Sequence, residues 1–350
     1  MSKIQYNTKK KHKVWLLIDS LIYGGIESHV LELAKGLKDH SINVTVVFIS
    51  HYNKTTILDQ KLKIASIPYF FANKKFPALN HFVSLKIAIK SILPNLIHTH
   101  GYKANLYIRT IRYFFKYQYI KQISTYHAGE RATGKIRLYD LCDRYTACLS
   151  SVCLAVSKSI QQKLPTTHSY VINNFISLKN ITKSKGTEIA FVGRLSHEKA
   201  PDRFVNLAKQ FPEKIFHCYG TGPMKQTVLL SKPNNLIIHG YQINMHNVWK
   251  NISVLIICSR YEGMPMVALE AMARGIPVFS LKVGDMAALI QSKYNGFLAK
   301  NIEELSHHLN NWFIMSDNAQ LIIRQKAIET IYKFYSSKKT IPKILQIYQI

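Results

Sequence analysis

The chain has 350 residues, 47% hydrophobic and 19% charged, enough apolar material for two sizeable cores and too little Gly and Pro for a disordered or fibrous protein. Forty-seven Lys and Arg against 19 Asp and Glu leave a formal charge of +28, which favours a phosphate-rich partner: nucleic acid, an anionic membrane or a nucleotide-like substrate. Five cysteines without a C-x-x-C argue against a disulfide framework and a zinc ribbon.

In chain order, Lys9-Lys10-Lys11-His12-Lys13 and the apolar run Val14 to Ile18 imitate the start of a signal peptide, but Asp19 ends the run early. No segment reaches the roughly 18 to 20 apolar residues that span a bilayer, so a cytoplasmic protein is expected, at most peripheral on the inner face of the membrane. Strand-like runs follow at Val44 to Ile49, Leu96 to His98, Ile123 to Tyr126 and Leu154 to Val156, separated by helical stretches such as Glu27 to Leu37 and Val83 to Ile92. This is the rhythm of a parallel sheet covered on both faces. After Val171 to Ile176 the polar stretch 177–187 reads as a linker. The rhythm then restarts, with strands at Glu188 to Val192, Ile215 to Tyr219, Leu236 to His239, Val254 to Cys258 and Pro277 to Ser280, and helices from about Asp202 and from Pro265. The expected architecture is α/β, with two doubly wound Rossmann-like domains, 1–176 and 188–335, facing a central cleft. Residues 336–350 are expected to form a last helix able to cross back onto the first domain.

The chemistry concentrates in Ser259-Arg260-Tyr261-Glu262-Gly263-Met264-Pro265-Met266-Val267-Ala268-Leu269-Glu270 and on to Gly275. The segment follows a strand directly; Pro265 suits a first helical turn and Gly275 a C-terminal cap. Amides near 263–267 then face the cleft as a seat for a diphosphate. Glu262 and Glu270, about 12 Å apart if the segment is near helical, bracket that seat. Carboxylates accept hydroxyls well and pair poorly with phosphate, so the two suit the sugar and ribose ends of one nucleotide sugar.

The segment resembles the E-x7-E motif of the retaining glycosyltransferases of family GT4, which have the GT-B fold. Other segments resemble the family in its order and over most of the chain. Gly24-Gly25-Ile26-Glu27 is similar to the N-terminal glycine loop, and Thr125-Tyr126-His127-Ala128-Gly129 to the histidine segment. Phe191-Val192-Gly193-Arg194-Leu195-Ser196-His197-Glu198-Lys199 is similar to the phosphate segment, and Tyr219-Gly220-Thr221-Gly222-Pro223 to the second glycine loop. Ala200 stands where the family often has glycine. The resemblance implies Arg194 and Lys199 on the leaving diphosphate, Glu262 and His127 on the transferred sugar and Glu270 on the ribose. Gly25, Gly222, Ser259, Gly263, Met264, Pro265 and Met266 would complete the donor pocket. It also implies attack on the face of the leaving group, with no protein nucleophile.

No Asp-x-Asp occurs, and neither a metal nor another cofactor is expected. His100 is a second cleft-facing candidate. The pair His98 and His100 is set aside as a metal site, because the strand is expected to turn them apart and no carboxylate accompanies them. The family's acceptors include lipid-linked sugars and glycans, and a lipopolysaccharide or capsule precursor fits a bacterial enzyme. Residues 1–170 carry 25 basic and 8 acidic residues. Among them Arg109, Arg112 and Lys116 repeat at helical spacing amid Tyr and Phe, an expected basic aromatic surface for an anionic membrane. Two other readings stay open: a nucleotide-sugar epimerase or hydrolase of the same fold, and a basic nucleic-acid-binding protein. No recognised RNA- or DNA-binding motif appears, so nucleic acid is not expected as a partner.

Overall fold

A computed structural model describes residues 12–52, 56–127 and 134–349. Lys9 to Lys11, Ala128, Gly129 and Ile350 lie outside the described residues. Those described form two parallel sheets. The first contains β1 (Lys13–Ile18), β2 (Asn43–Phe48), β3 (Tyr69–Phe71), β4 (Leu96–His100), β5 (Lys121–Tyr126), β6 (Val152–Ala155) and β7 (Ser169–Val171), in the order β3-β2-β1-β4-β5-β6-β7. The second contains β8 (Glu188–Val192), β9 (Phe216–Tyr219), β10 (Leu236–Gly240), β11 (Ile252–Ile257), β12 (Val278–Leu281) and β13 (Phe297–Ala299), in the order β10-β9-β8-β11-β12-β13. Five successive residues of β1, Val14 to Ile18, are buried, because helices cover both faces of a parallel sheet.

In each sheet the strand order reverses next to the first strand, between β1 and β4 and between β8 and β11. Loops leaving the carboxyl ends of such strands diverge and open a crevice. Gly24-Gly25 follows β1, the loop of Lys199 follows β8, and Ser259 to Glu262 follow β11. Within each sheet, topology therefore puts the expected site segments at the crevice beyond the carboxyl ends of the strands.

The run Val171 to Ile176 is not one strand. β7 ends at Val171, and Ile176 instead bridges Ser336, its N–H donating to Tyr335 O at 2.9 Å while Ser337 N–H donates to Ile176 O at 2.9 Å. The chain thus passes between the sheets twice, and the two crossings hold each other. Beyond the second crossing the helix Ser337–Tyr348 returns to the first sheet, burying Ile341, Ile344 and Tyr348 with Val30 and Leu37 of the helix Gly25–Asp39. A Cβ at Gly36 would collide with the Ile341 side chain, so a larger residue there would force Ile341 to move.

The expected basic surface needs correction. Arg109 is 3% exposed and buried against Asp143, with Nη1 2.7 Å from its Oδ1 and Nη2 donating to the Tyr126 hydroxyl at 2.6 Å. Arg112 is half-buried and donates to Leu149 O at 3.0 Å and to Ser151 Oγ at 3.2 Å. Of the three, Lys116 alone is exposed. Helical spacing shows that side chains share a face; it does not show which face meets the core. Among the described residues no helix is long and apolar enough to cross a membrane.

Candidate active site

After β8 the chain turns sharply, held by Gly193 N–H to Tyr219 O (2.9 Å) and Leu195 N–H to Thr221 O (3.0 Å). The two loops lie so close that a Cβ at Gly220 would strike the Gly193 carbonyl and one at Gly222 that of Leu195. Gly222 is therefore needed for loop packing, apart from any contact with a ligand. Ala200 closes the turn with φ 52° and ψ 54°, in the left-handed region, and caps the helix Pro201–Lys209. Glycine adopts that conformation freely, whereas alanine carries a cost of about 1 kcal/mol.

This turn delivers Lys199 to Glu262, with Nζ 2.6 and 2.7 Å from the two carboxylate oxygens. Ser259, almost fully buried, donates its hydroxyl to the same carboxylate at 2.7 Å. Arg260, named in the motif but assigned no role there, ties the two loops together. Its guanidinium grips Asp202 at 2.9 and 2.6 Å, and its N–H donates to Glu198 O at 2.8 Å. Glu198 is held below the usual carboxylate range: burial pushes it up, but the Ser196 hydrogen bond, its own amide, Arg194 and Lys199 outweigh that. Arg194 itself stays exposed at the rim.

The turn at Glu262 and Gly263 rests on a residue that sequence reading missed. Gly284 has φ 52°, and a Cβ there would collide with the Glu262 carbonyl; next to it, Asp285 N–H donates to Gly263 O at 3.0 Å. On the opposite wall, a Cβ on Gly263 would come 3.3 Å from the His127 carbonyl. Pro265 is the N-cap of the helix Met266–Met272, and Gly275 (φ 72°) donates to Met272 O at 3.0 Å. Met264 and Met266 are 2% and 4% exposed and belong to the core, so their side chains do not line the cleft.

From the other wall, Gly24 caps the first helix and donates its N–H to Glu27 Oε2 at 2.9 Å. A Cβ at Gly25 would meet nothing within 4 Å, so this backbone faces open space. One turn on, Ser28 donates its hydroxyl to Glu270 Oε1 across the cleft at 3.3 Å. Burial raises the pKa of Glu270, opposed by Arg274, Lys61 and the Ser28 hydroxyl. Lys61, in the helix Ile57–Ile64, was also absent from the sequence reading.

The histidines are the largest departure from expectation. Two positions apart on β4, His98 and His100 share a face, and their rings lie 4.4 Å apart. His98 is fully used, by the Tyr348 hydroxyl at 2.6 Å and by Thr125 at 2.5 Å. His100 Nδ1 lies 3.0 Å from His127 Nε2, and the His29 ring stands 4.7 Å from that of His127. His29 had drawn no attention in the sequence. One ring nitrogen each from His29, His100 and His127 lie within 4.8 Å of one another, so these three are able to hold a metal. Burial lowers the pKa of His29 to about 4 and of His98 to about 3, and holds His100 and His127 well below the ordinary value, so the cluster is neutral near pH 7.

Two doubly wound sheets, with glycine loops, a lysine–carboxylate pair and a second carboxylate gathered where the strand orders reverse, have the architecture of the GT-B class. Comparison with known proteins agrees. Residues 23–180 match the family described as Glycosyltransferase Family 4, and residues 174–334 match Glycosyl transferases group 1. The O-antigen biosynthesis glycosyltransferase WbnH of Escherichia coli is 26% identical, over 89% of this chain and 92% of its own. The UDP-Gal:alpha-D-GlcNAc-diphosphoundecaprenol alpha-1,3-galactosyltransferase of Escherichia coli is 25% identical, over 45% of this chain and 44% of its own. Among solved structures, Anabaena HepE in complex with UDP and glucose superposes with a TM-score of 0.83 at 16% identity, over 97% of this chain and 99% of that one. The chain belongs to the GT4 glycosyltransferases, retaining enzymes of the GT-B fold.

Proposed function

We propose that this glycosyltransferase moves a hexose, with retention and without a metal, from a nucleotide-diphospho-sugar to a glycan or lipid-linked acceptor of bacterial surface polysaccharide. The observation that carries the reading is the Lys199–Glu262 pair beside the Gly263 turn, with Glu270 further along the same segment. Lys199, Arg194 and the loop amides neutralise the diphosphate as it leaves, which is where charge develops in the transition state. Glu262 and His127 hold the sugar, Glu270 holds the ribose, and Gly25 lets backbone approach the phosphates. The acceptor oxygen attacks the face from which the diphosphate departs, and a phosphate oxygen takes its proton. The relatives named for O-antigen synthesis and for a diphosphoundecaprenol acceptor support the acceptor class.

Such an acceptor lies at a membrane, and the first half of the chain has the charge to meet an anionic one. With Arg109 buried, the contact surface proposed here is carried instead by Lys116 with the exposed Tyr113 and Phe114 beside it in sequence. The test is a panel of nucleotide sugars scored by nucleotide release, with and without lipid-linked acceptors, in buffer containing a strong chelator. Acceptor-dependent release in chelator supports the reading. Hydrolysed or epimerised donor without a glycosylated product would instead favour the epimerase or hydrolase.

A further inference from the structure

We propose that His29, His100 and His127 form a binding site for a divalent transition metal, and that zinc bound there inhibits the enzyme by occupying the place of the transferred sugar. The binding site is independent of the proposed function; only the inhibition rests on that reading. The three residues come from three elements: the helix Gly25–Asp39, the end of β4 and the residue after β5. The fold, not local sequence, assembles them. One nitrogen from each lies within 4.8 Å of the others, and His100 Nδ1 and His127 Nε2 are already 3.0 Å apart. Zinc–nitrogen bonds of about 2.0 to 2.1 Å set tetrahedral ligands about 3.4 Å apart, a closure that rotation of the imidazoles supplies.

One further observation points to a ligand. Asn174 donates through Nδ2 to Met264 O at 2.6 Å, which leaves its Oδ1 to accept from His29 Nδ1 at 2.9 Å. His29 Nε2 then carries the free lone pair, the arrangement by which outer hydrogen bonds prepare histidines for metals. The site is all imidazole, with no carboxylate in it, which suits zinc, copper or nickel and disfavours magnesium and calcium. His29 and His100 are buried while His127 is half-exposed in the cleft, so the open coordination position faces the substrate side. His98 takes no part, since both its ring nitrogens are already bonded.

The test uses the full chain, with cobalt(II) as a spectroscopic probe and zinc in equilibrium dialysis. The expected result is one equivalent of cobalt with the visible bands of a tetrahedral site, displaced by zinc and untouched by magnesium. His29→Asn and His100→Gln should each weaken binding at least tenfold, whereas His239→Gln, in the separate His217–His239 pair, should not. If either buried substitution unfolds the chain, His127→Gln at the accessible end carries the same binding measurement. Absence of stoichiometric binding, or its loss in His239→Gln alone, overturns the site. In turnover assays zinc should raise the apparent KM for donor at least tenfold, reversed by chelator. Saturated binding with unchanged donor kinetics overturns the inhibition. Because binding is read without turnover, its outcome does not depend on the proposed reaction.

Discussion

Lys199 lies 2.6 Å from one oxygen of Glu262 and 2.7 Å from the other, so the cation proposed for the diphosphate and the carboxylate proposed for the sugar hold each other in place. Glu262 has a side chain only 6% exposed, and Ser259 shares it. Among the described residues, removing Lys199 would leave that carboxylate with the Ser259 hydroxyl as its side-chain donor.

Lys199→Ala and Glu262→Gln are accordingly expected to lower kcat at least tenfold each while the chain stays folded. Because the groups contact each other, the double variant should lose less than the product of the single losses. Steady-state kinetics on the four proteins of this cycle measure the coupling; independent effects would mean that the pair does not act as a unit.

Glu270→Ala should act mainly on donor affinity. The loss of a hydrogen bond to a charged group is worth about 1.5 to 3 kcal/mol, roughly ten- to a hundredfold in Kd. Ser28→Ala, which removes one neutral donor to Glu270, should have a smaller effect. Calorimetric titration with the nucleoside diphosphate reads this directly, and unaltered affinity in Glu270→Ala would remove the residue from the ribose.

Two glycines should separate folding from binding. Gly25→Ala adds a methyl where nothing lies within 4 Å, so its melting temperature should stay within a few degrees of the parent while the donor KM rises. Gly284→Ala puts a Cβ against the Glu262 carbonyl at φ 52°, so it should displace the Glu262 turn, lower kcat and lower stability by roughly 1 to 3 kcal/mol. A thermally unchanged, fully active Gly284→Ala would show that the loop yields without consequence.

The histidine cluster predicts acid lability. His29 drops from an ordinary 6.5 to about 4 on folding, so between those values the unfolded chain binds the proton and the native one does not. Stability from this source is complete above about pH 6.5 and is lost as pH falls towards 4, by about 3 kcal/mol for a shift of this size. Melting curves from pH 7.5 to 4.5 should show the decline, and His29→Asn should make it less steep by the His29 share, with His98, His100 and His127 still contributing. An equally steep decline in that variant would place the acid sensitivity elsewhere.

The central strands and the segment from Ser259 to Gly275 were legible in the chain because their signals are local: continuous apolar runs, a proline before a helix, a glycine after it. The edge strands β3, β7 and β13 have three residues each, too few for a periodicity to show. Arg109 was misplaced for a related reason. Its spacing with Arg112 identified a shared helical face, and only packing against Asp143 and Tyr126 turned that face inward. Tertiary structure likewise decided the partners of the site. Ser28 and Glu270 are 242 residues apart, and His98 and Tyr348 are 250 apart. His29, His100 and His127 meet only because β1, β4 and β5 are neighbours in the sheet. Composition and motif fix which chemistry a segment can offer, because side-chain type is local. Which groups share a cleft depends on strand order and on the second crossing of the chain, which no short window of residues contains.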